Sequence, residues 1–314
     1  MNNNIMQLES RFLFLLALLM NLQCLYAETA FPFVKVQNFD DKSEVERLIE
    51  SSFRLPVQRR IEFISKYFIG RKYHPETKTR IKKQQTKKVE KVEATNAEPL
   101  PVEFLRTSMT YLDCMTYVEH VLALASSVNT SHKECSYQSE FLCRLIDIMF
   151  NADGNALMNH HRNHFTSRWA DSNELKGYLK NIAREHPEAI RRDLVLNRVG
   201  KNRTFYIEDR FMISQTVQQL WFFPLSAVFD RKVPLVSGDV VAMVTDKEGL
   251  DVTHMGFFIE YHNKRWLRHA SSKANRILDQ DFDQYLRDGK KIKGILLLRP
   301  VLRAAAVHRY NFTN

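Results

Sequence analysis

The sequence has no apolar run long enough to cross a membrane. Its most apolar segment, residues 12–20, is shorter than the roughly 20 residues that a membrane-spanning helix needs. Because this segment follows Arg11 near the N-terminus, it is typical of a secretory signal peptide, which we predict over residues 1–27. Gln23 is bulky where a lipoprotein cleavage site has a small residue before Cys24. We therefore expect export to the periplasm or the cell exterior without a lipid anchor.

The basic residues lack the interleaved aromatic residues of an RNA-binding surface, and we expect no nucleic-acid partner. The chain carries 46 Lys and Arg against 36 Asp and Glu, a formal net charge of +10. Such a surplus is common on a solvated surface, and it also suits an anionic partner such as an acidic wall polymer. Residues 78–98 are charged and contain no aromatic residue, which predicts an exposed insertion, with contact to an anionic wall as the functional alternative.

Internal repeats and a second domain boundary are also missing from the sequence. We therefore predict one domain over residues 28–303 and a loosely held tail over residues 304–314.

Helical patterns come first along the chain, and strand patterns follow. A helix is predicted to open at Asp171, with Leu175, Leu179 and Ile182 facing inward. Apolar residues at helical spacing predict further helices over residues 57–69, 118–128 and 141–149. Alternating or continuous apolar runs predict strands over residues 210–213, 240–244, 255–259 and 292–298. This order indicates an α+β fold and argues against an alternating parallel sheet.

Cysteine is scarce, with four residues in 314. After removal of Cys24 with the signal peptide, three remain, and an odd number needs a reason in an oxidising compartment. Cys135 and Cys143 lie close in sequence and could form a disulfide, which would leave Cys114 as the catalytic candidate. The alternative is that all three are reduced, buried residues.

Cys114 is the residue with the clearest chemical context. It follows Asp113 at the start of an amphipathic helix, where the positive end of the helix dipole favours a thiolate. Two histidines, His254 and His269, lie far downstream in predicted strands. A cysteine followed by histidines on separate elements suits a thiol hydrolase, in which an imidazole exchanges protons with the nucleophile. The plainer alternatives are an inert cysteine and structural histidines.

The two histidines can meet if their strands are adjacent and antiparallel. His254, Gly256 and Phe258 would share one strand face, and Gly256 leaves room for another element to approach the imidazole. His269 ends the next strand, so it could hold the ring of His254 as the third member of a triad.

A metal site is the competing use of histidine in this chain. His160 and His164 are four residues apart and would share a helix face, as zinc ligands do. Neither a Glu-x-x-His pattern nor a cysteine pair accompanies them, so a polar loop that lines a cleft is the favoured interpretation, and we expect no metal.

Four ordered motifs resemble the N-acetylmuramoyl-L-alanine amidase-like family, also known as domain of unknown function 1460. This family belongs to the NlpC-type branch of papain-like cell-wall cysteine hydrolases. The motifs are residues 112–119, 238–241, 249–256 and 269–272, and a segment from Arg162 to Asn173 resembles the family's cleft. The resemblance implies a papain-like fold, with N-terminal helices packed on a C-terminal antiparallel sheet or half-barrel.

By that resemblance, Cys114 is the nucleophile, His254 the general base and His269 the residue that orients the base. The resemblance also extends to six expected substrate-binding residues: Tyr73, Asp113, Arg162, His164, Trp169 and Ser271. The implied reaction is hydrolysis of the amide between the lactyl group of N-acetylmuramic acid and L-alanine in peptidoglycan or its fragments, without a cofactor. We expect a monomer.

Two other functions fit the same residues. A papain-like γ-D-glutamyl-diamino-acid endopeptidase, or an acyltransferase, would use the same triad on a different bond. A non-catalytic module would instead bind the wall through its positive charge.

Overall fold

The computed structural model describes residues 33–37, 42–74, 104–127, 137–150, 162–197, 216–303 and 311–313. The predicted signal peptide, the charged insertion and the strand at 210–213 lie outside these residues. Cys135 and His160 do so as well, so the Cys135–Cys143 disulfide and the His160–His164 pair stay predictions.

The described residues form an α+β fold of seven helices and thirteen strands. The helices are α1 (Lys42–Ser52), α2 (Val57–Tyr67), α3 (Cys114–Ser126), α4 (Tyr137–Met149), α5 (Thr166–Leu175), α6 (Leu225–Phe229) and α7 (Phe282–Asp288). The strands are β1 (Phe33–Gln37), β2 (Lys72–Tyr73), β3 (Phe104–Arg106), β4 (Tyr111–Leu112), β5 (Leu179–Asn181), β6 (Ile190–Leu196), β7 (Thr216–Pro224), β8 (Val240–Thr245), β9 (Val252–Tyr261), β10 (Lys264–Ser271), β11 (Arg276–Asp281), β12 (Ile292–Pro300) and β13 (Asn311–Thr313).

The main sheet runs in the order β4-β2-β11-β10-β9-β8-β12-β7-β6, with β5 paired to β12. From β11 to β6 each neighbouring pair is antiparallel, and β2 and β4 are parallel to one another at the β4 edge. This order places the short strand before α3 two strands away from β11. The sheet therefore brings residues from distant parts of the sequence to one edge.

A tight hairpin joins the two strands that carry the histidines. His262 and Asn263, between β9 and β10, both have positive φ, 50° and 58°. Two such residues match the right-handed twist of the flanking strands, and asparagine adopts this conformation more readily than most residues. The hairpin therefore sets β9 and β10 side by side and antiparallel.

Helix α3 is the central helix of the core. Its residues from Thr116 to Ser126 are all buried, among them Val118, Val121 and Leu122, as the helical spacing predicts. A helix that is apolar on most of its faces needs cover on all sides, and α3 packs against α2, α4 and the strands β9 and β10. This packing holds the N-terminal end of α3 against the sheet.

The helix predicted to open at Asp171 is wrong. Helix α5 begins at Thr166 and ends at Leu175, which is 90% exposed, and Gly177 follows with a φ of 80°. Leu179 belongs to β5 and Ile182 to a 3₁₀-helix instead. The acidic residues that resembled a helix start bind Arg184 by ion pairs, Asp171 among them.

Of the predicted loose tail, the structure describes residues 311–313 alone, so the looseness of the tail stays a prediction. Strand β13 pairs in parallel with β1, which in turn pairs with β3, in a small second sheet.

Among the described residues, no helix combines the length and the apolar character needed to cross a membrane.

Candidate active site

The β9–β10 ladder brings the two histidines into direct contact. Nε2 of His254 lies 2.6 Å from Nδ1 of His269, and the rings are perpendicular, with centroids 4.8 Å apart. His269 is buried, whereas His254 is half-buried. Because one ring nitrogen of His254 binds His269, its Nδ1 is the nitrogen left for proton exchange with a substrate or nucleophile.

Gly256 makes this contact possible. A Cβ atom on Gly256 would lie 2.8 Å from Cβ of His269 and 2.6 Å from the carbonyl oxygen of Arg268. Carbon atoms do not approach so closely, so a larger residue would push β10 away from β9. Gly256 was predicted from the sequence to leave room for another element, and the backbone of Arg268 and Cβ of His269 lie closest to it.

Cys114 is the first residue of α3. The side chain of Asp113 accepts hydrogen bonds from the backbone N–H groups of Met115 and Thr116, at 3.0 and 2.8 Å, and Thr116 completes a capping box. Such a cap fixes the helix start at one residue. Cys114 therefore sits at a defined position on the positive end of the helix dipole, half-buried.

Two tyrosines flank Cys114 from different elements. Burial raises the pKa of Tyr73 in β2, and the negative charges of Cys114 and Asp113 raise it further. Burial also raises the pKa of Tyr285 in α7 to about 12, with a second contribution from Cys114. Both hydroxyls thus keep their protons near neutral pH and can donate hydrogen bonds.

Tyr285 connects the cysteine with the histidines. Its ring centroid lies 5.9 Å from that of His254 and 5.3 Å from that of His269. Cys114 also raises the pKa of Tyr285, so the thiol lies within electrostatic range of a side chain that contacts both imidazoles. Tyr285 was not among the site residues predicted from the sequence, because nothing in the spacing of α7 distinguishes it from an ordinary core tyrosine.

Burial makes both imidazoles weak bases. It lowers the pKa of His254 to about 3, and the neighbouring His269 lowers it further. It lowers the pKa of His269 to about 4, although Gln280 and Asp279 act in the opposite direction. Both rings are therefore neutral near pH 7, the state in which a histidine can accept a proton.

The six residues expected to bind substrate lie in different parts of the structure. Tyr73 and Asp113 lie beside Cys114, and Oδ1 of Asp113 is occupied by the helix start, whereas its buried Oδ2 has no hydrogen-bond partner among the described residues. His164 is half-buried in the segment before α5. The other three, Arg162, Trp169 and Ser271, are buried.

Arg162 binds the fully buried Glu119 of α3 with both guanidinium nitrogens, at 2.5 and 2.7 Å. Trp169 is fully buried in the core, and the Ser271 hydroxyl accepts a hydrogen bond from the Ala274 backbone N–H in the turn after β10. All three side chains are therefore held by packing or hydrogen bonds within the protein, and their contact with substrate stays a prediction.

A second cross-link joins α5 to the strand of His254. The carboxylate of Asp251 accepts hydrogen bonds from the backbone N–H and the hydroxyl of Ser167, at 2.6 and 2.7 Å. Asp251 is buried immediately before β9. Helix α5 is thereby tied to the start of the strand three residues from His254.

Within the described residues, no cluster of three or more His, Cys, Asp and Glu side chains is arranged to hold a metal ion. His160 and His161 lie outside that part of the chain, so the metal alternative is not tested at those residues.

Solved structures share this fold at low sequence identity. A Legionella pneumophila protein of the domain-of-unknown-function family 1460 is 22% identical, with a TM-score of 0.59 over 86% of this chain and 96% of its own. An N-acetylmuramoyl-L-alanine amidase from Bacteroides uniformis is 21% identical, with a TM-score of 0.56 over 78% and 99%. A Bacteroides fragilis protein described as a candidate xylanase is also 21% identical, with a TM-score of 0.56 over 75% and 99%.

These identities show a shared fold alone, and the differing descriptions of the three proteins do not assign an activity. No curated protein matches the chain. The family model for N-acetylmuramoyl-L-alanine amidase-like proteins matches residues 63–295, which is most of the chain and includes Cys114, His254 and His269. This protein therefore belongs to the N-acetylmuramoyl-L-alanine amidase-like family.

Proposed function

We propose that this protein is an exported cysteine amidohydrolase with a papain-like catalytic arrangement. Its substrate is the amide between N-acetylmuramic acid and L-alanine in peptidoglycan or its fragments. The observation that carries the proposal is the 2.6 Å contact between His254 and His269, in a protein whose candidate nucleophile lies at a capped helix start. The family supplies the expected bond, and the site supplies a nucleophile, a base and an orienting group.

The reaction begins with a proton transfer. The Cys114 thiol gives its proton to Nδ1 of the neutral His254, which produces a thiolate and an imidazolium. The thiolate then attacks the lactyl carbonyl carbon, a C–S bond forms, and the carbonyl electron pair moves to oxygen. His269 accepts the Nε2 proton of His254 in a hydrogen bond and so keeps the imidazolium oriented.

The oxyanion needs hydrogen-bond donors, and two of the backbone N–H groups near Cys114 are already occupied. The N–H groups of Met115 and Thr116 already donate to Asp113. We assign the role to the backbone N–H of Cys114 and the hydroxyl of Tyr73, which burial keeps protonated. Removing one such donor typically raises the barrier by about 3–4 kcal/mol.

The remaining steps release the two products. The imidazolium of His254 gives its proton to the alanine nitrogen as the C–N bond breaks, and the stem peptide leaves with a free amine. Water then attacks the thioester while His254 accepts its proton, so the sugar leaves with a free lactyl carboxylate. The thiolate recovers a proton, and the enzyme returns to its initial state.

The experiment that tests the proposal uses the purified protein, a defined muropeptide and mass spectrometry. The wild-type protein is expected to release intact stem peptide and free sugar, whereas Cys114→Ala and Cys114→Ser are expected to release neither. Cys143→Ala, in the buried helix α4, is the matched control and is expected to keep activity. Turnover by purified Cys114→Ala would contradict the proposal.

The same measurement separates the alternatives. A γ-D-glutamyl-diamino-acid endopeptidase would cut inside the stem peptide, and an acyltransferase would give a product with a new acyl acceptor. A non-catalytic wall-binding module would bind wall polymer equally well after alkylation of Cys114 and would form no product.

Export is part of the proposal and rests on residues 1–27. Fractionation of the native cell, with N-terminal sequencing of the mature chain, tests it. A mature chain that still begins at Met1 inside the cytoplasm would contradict cleavage and export.

A further inference from the structure

The contact between His254 and His269 continues to a third strand. Nε2 of His269 lies 3.3 Å from Oε1 of Gln280 in β11. The β10–β11 register pairs His269 with Leu278 and Leu267 with Gln280, so His269 and Gln280 are diagonal neighbours on one face. His254, His269 and Gln280 therefore form a line across the adjacent strands β9, β10 and β11.

The hydrogen bonds of this line are directional. A glutamine oxygen only accepts, so Nε2 of His269 carries the proton that it donates. Nδ1 of the neutral His269 then has a lone pair, which accepts a hydrogen bond from Nε2–H of His254. Nδ1 of His254 is consequently unprotonated, which is the state that a general base requires.

We propose that Gln280 is a positioning residue that holds His269, and through it His254, in the tautomers needed for catalysis. The inference rests on the proposed function, in which His254 is the general base. Gln280 itself does not touch the reacting atoms. A reversed amide would reverse every donor in the line and place a proton on Nδ1 of His254, where it blocks proton transfer from Cys114.

The line from His254 through His269 ends at the neutral amide of Gln280. Asp279, the adjacent residue in β11, faces the other side of the strand and binds Arg268 with both oxygens, at 2.7 and 2.8 Å. Besides each other, the imidazoles adjoin Tyr285 in α7, and the charge of Asp279 reaches His269 from β11. The proton acceptor therefore has an amide where many triads have a carboxylate.

A spectroscopic test reads the tautomers without any turnover. Nitrogen-15 NMR of the imidazoles is expected to show Nε2–H and unprotonated Nδ1 for both histidines in the wild-type protein near pH 7. Gln280→Met is expected to give mixed tautomers for His269. The control is Gln284→Met, the same change at an exposed glutamine of α7, which is expected to leave both tautomers as in the wild type.

A kinetic test compares Gln280→Met with Gln280→Glu, which places a negative charge at the end of the line. Gln280→Met is expected to lower kcat/KM by about tenfold or more, mainly through kcat, since a misplaced proton removes part of the general-base contribution. Gln280→Glu retains an acceptor, so activity at high pH is expected to survive within a few fold. Its negative charge favours protonated His269, so the acid limb of the pH profile is expected to move up by about one unit.

The results distinguish this inference from the proposed function. Wild-type tautomers and wild-type kcat that survive Gln280→Met would overturn the role of Gln280. A proton on Nδ1 of His269 in the wild-type protein would overturn it as well. A wild-type protein that shows Gln280-dependent tautomers but no amidase turnover would contradict the proposed function alone.

Discussion

In the proposed mechanism, the pH dependence of activity follows from the protonation state of one residue, His254. Burial lowers the pKa of His254 to about 3 and that of His269 to about 4, from an ordinary value of 6.5. A base whose pKa is lowered stays neutral as the pH falls through 6.5 and loses function only near its lowered pKa. The contacts of a single ring therefore set the acid limit of the enzyme.

We expect the acid limb of kcat/KM to lie at least about one unit below 6.5. The measurement is kcat/KM against pH, with circular dichroism at each pH to show that the protein remains folded. A limb between pH 6 and 7 in folded protein, as expected of an ordinary solvent-exposed histidine, is the contrary result.

Gly256 provides the second residue-level prediction. Gly256→Ala would place Cβ 2.8 Å from His269, and relief of that clash requires movement of β10 or of the imidazole. We expect a loss of stability of about 1–3 kcal/mol, together with a large drop in kcat. Urea unfolding and single-turnover kinetics measure the two effects.

The control for Gly256→Ala is Glu260→Ala, at an exposed position of the same strand, which is expected to change neither quantity much. Wild-type kcat in Gly256→Ala would mean that the close approach of the two strands is not needed for the His254–His269 contact.

Helix α3 and the segment before α5 depend on one buried ion pair. Arg162 and Glu119 have side chains that are 5% and 0% exposed, so removal of one partner leaves a buried charge without compensation. We expect Arg162→Met to lower the free energy of unfolding by about 3–5 kcal/mol. The double change Glu119→Leu with Arg162→Met is expected to restore much of that loss, because it removes both charges.

Arg184→Met is the matched control for the ion pair. Arg184 is 39% exposed and binds Asp171 and Glu174, and such surface pairs contribute less than about 1 kcal/mol. A substrate-binding Arg162, as expected from the sequence, would instead raise KM while the stability of Arg162→Met stayed near that of the wild type.

The start of α3 and the buried partner of Arg162 show what a local sequence pattern can predict about an element and what it cannot. Asp113 comes directly before the amphipathic pattern of α3, and this local order was sufficient to predict the start of the helix. Glu119 and Arg162 are 43 residues apart, and neither has a local pattern that indicates a buried partner. The acidic pair at Asp171 and Glu174 was misinterpreted for the same reason, since its partner Arg184 lies beyond the helix.

The stability of the whole molecule is expected to fall in mild acid. His120, His254 and His269 all have a pKa lowered by burial, to about 4, 3 and 4. The unfolded chain binds a proton at each of these residues below 6.5, whereas the folded protein does not. The contribution of these three residues to stability is therefore greatest above 6.5 and decreases as the pH falls toward the folded-state values.

His120 isolates this effect from catalysis. It is 2% exposed, with its ring between the Thr107 hydroxyl and the Thr116 carbonyl, each at 2.7 Å. Between pH 7 and about pH 5 we expect it to account for a loss of about 1–2 kcal/mol of unfolding free energy. Urea unfolding of His120→Asn at the two pH values should show a correspondingly smaller decrease, with exposed His262→Asn as the control.

An unchanged pH dependence in His120→Asn would show that other groups cause the acid sensitivity. In that case the free energy of unfolding would be lower by the same amount at both pH values, and the loss would report only the missing hydrogen bonds.

Local patterns were sufficient to predict the α+β class and the capped start of α3, and they indicated Cys114, His254 and His269 as candidates, whose roles stay predictions. Capping, periodicity and the space at Gly256 each depend on residues a few positions apart. The neighbours of that site, Gln280 and Tyr285, and the burial of Arg162, depend on strand register and helix packing, which join residues far apart in the chain. A side chain's partner across a sheet is set by the order and alignment of strands, and no short stretch of sequence contains that information.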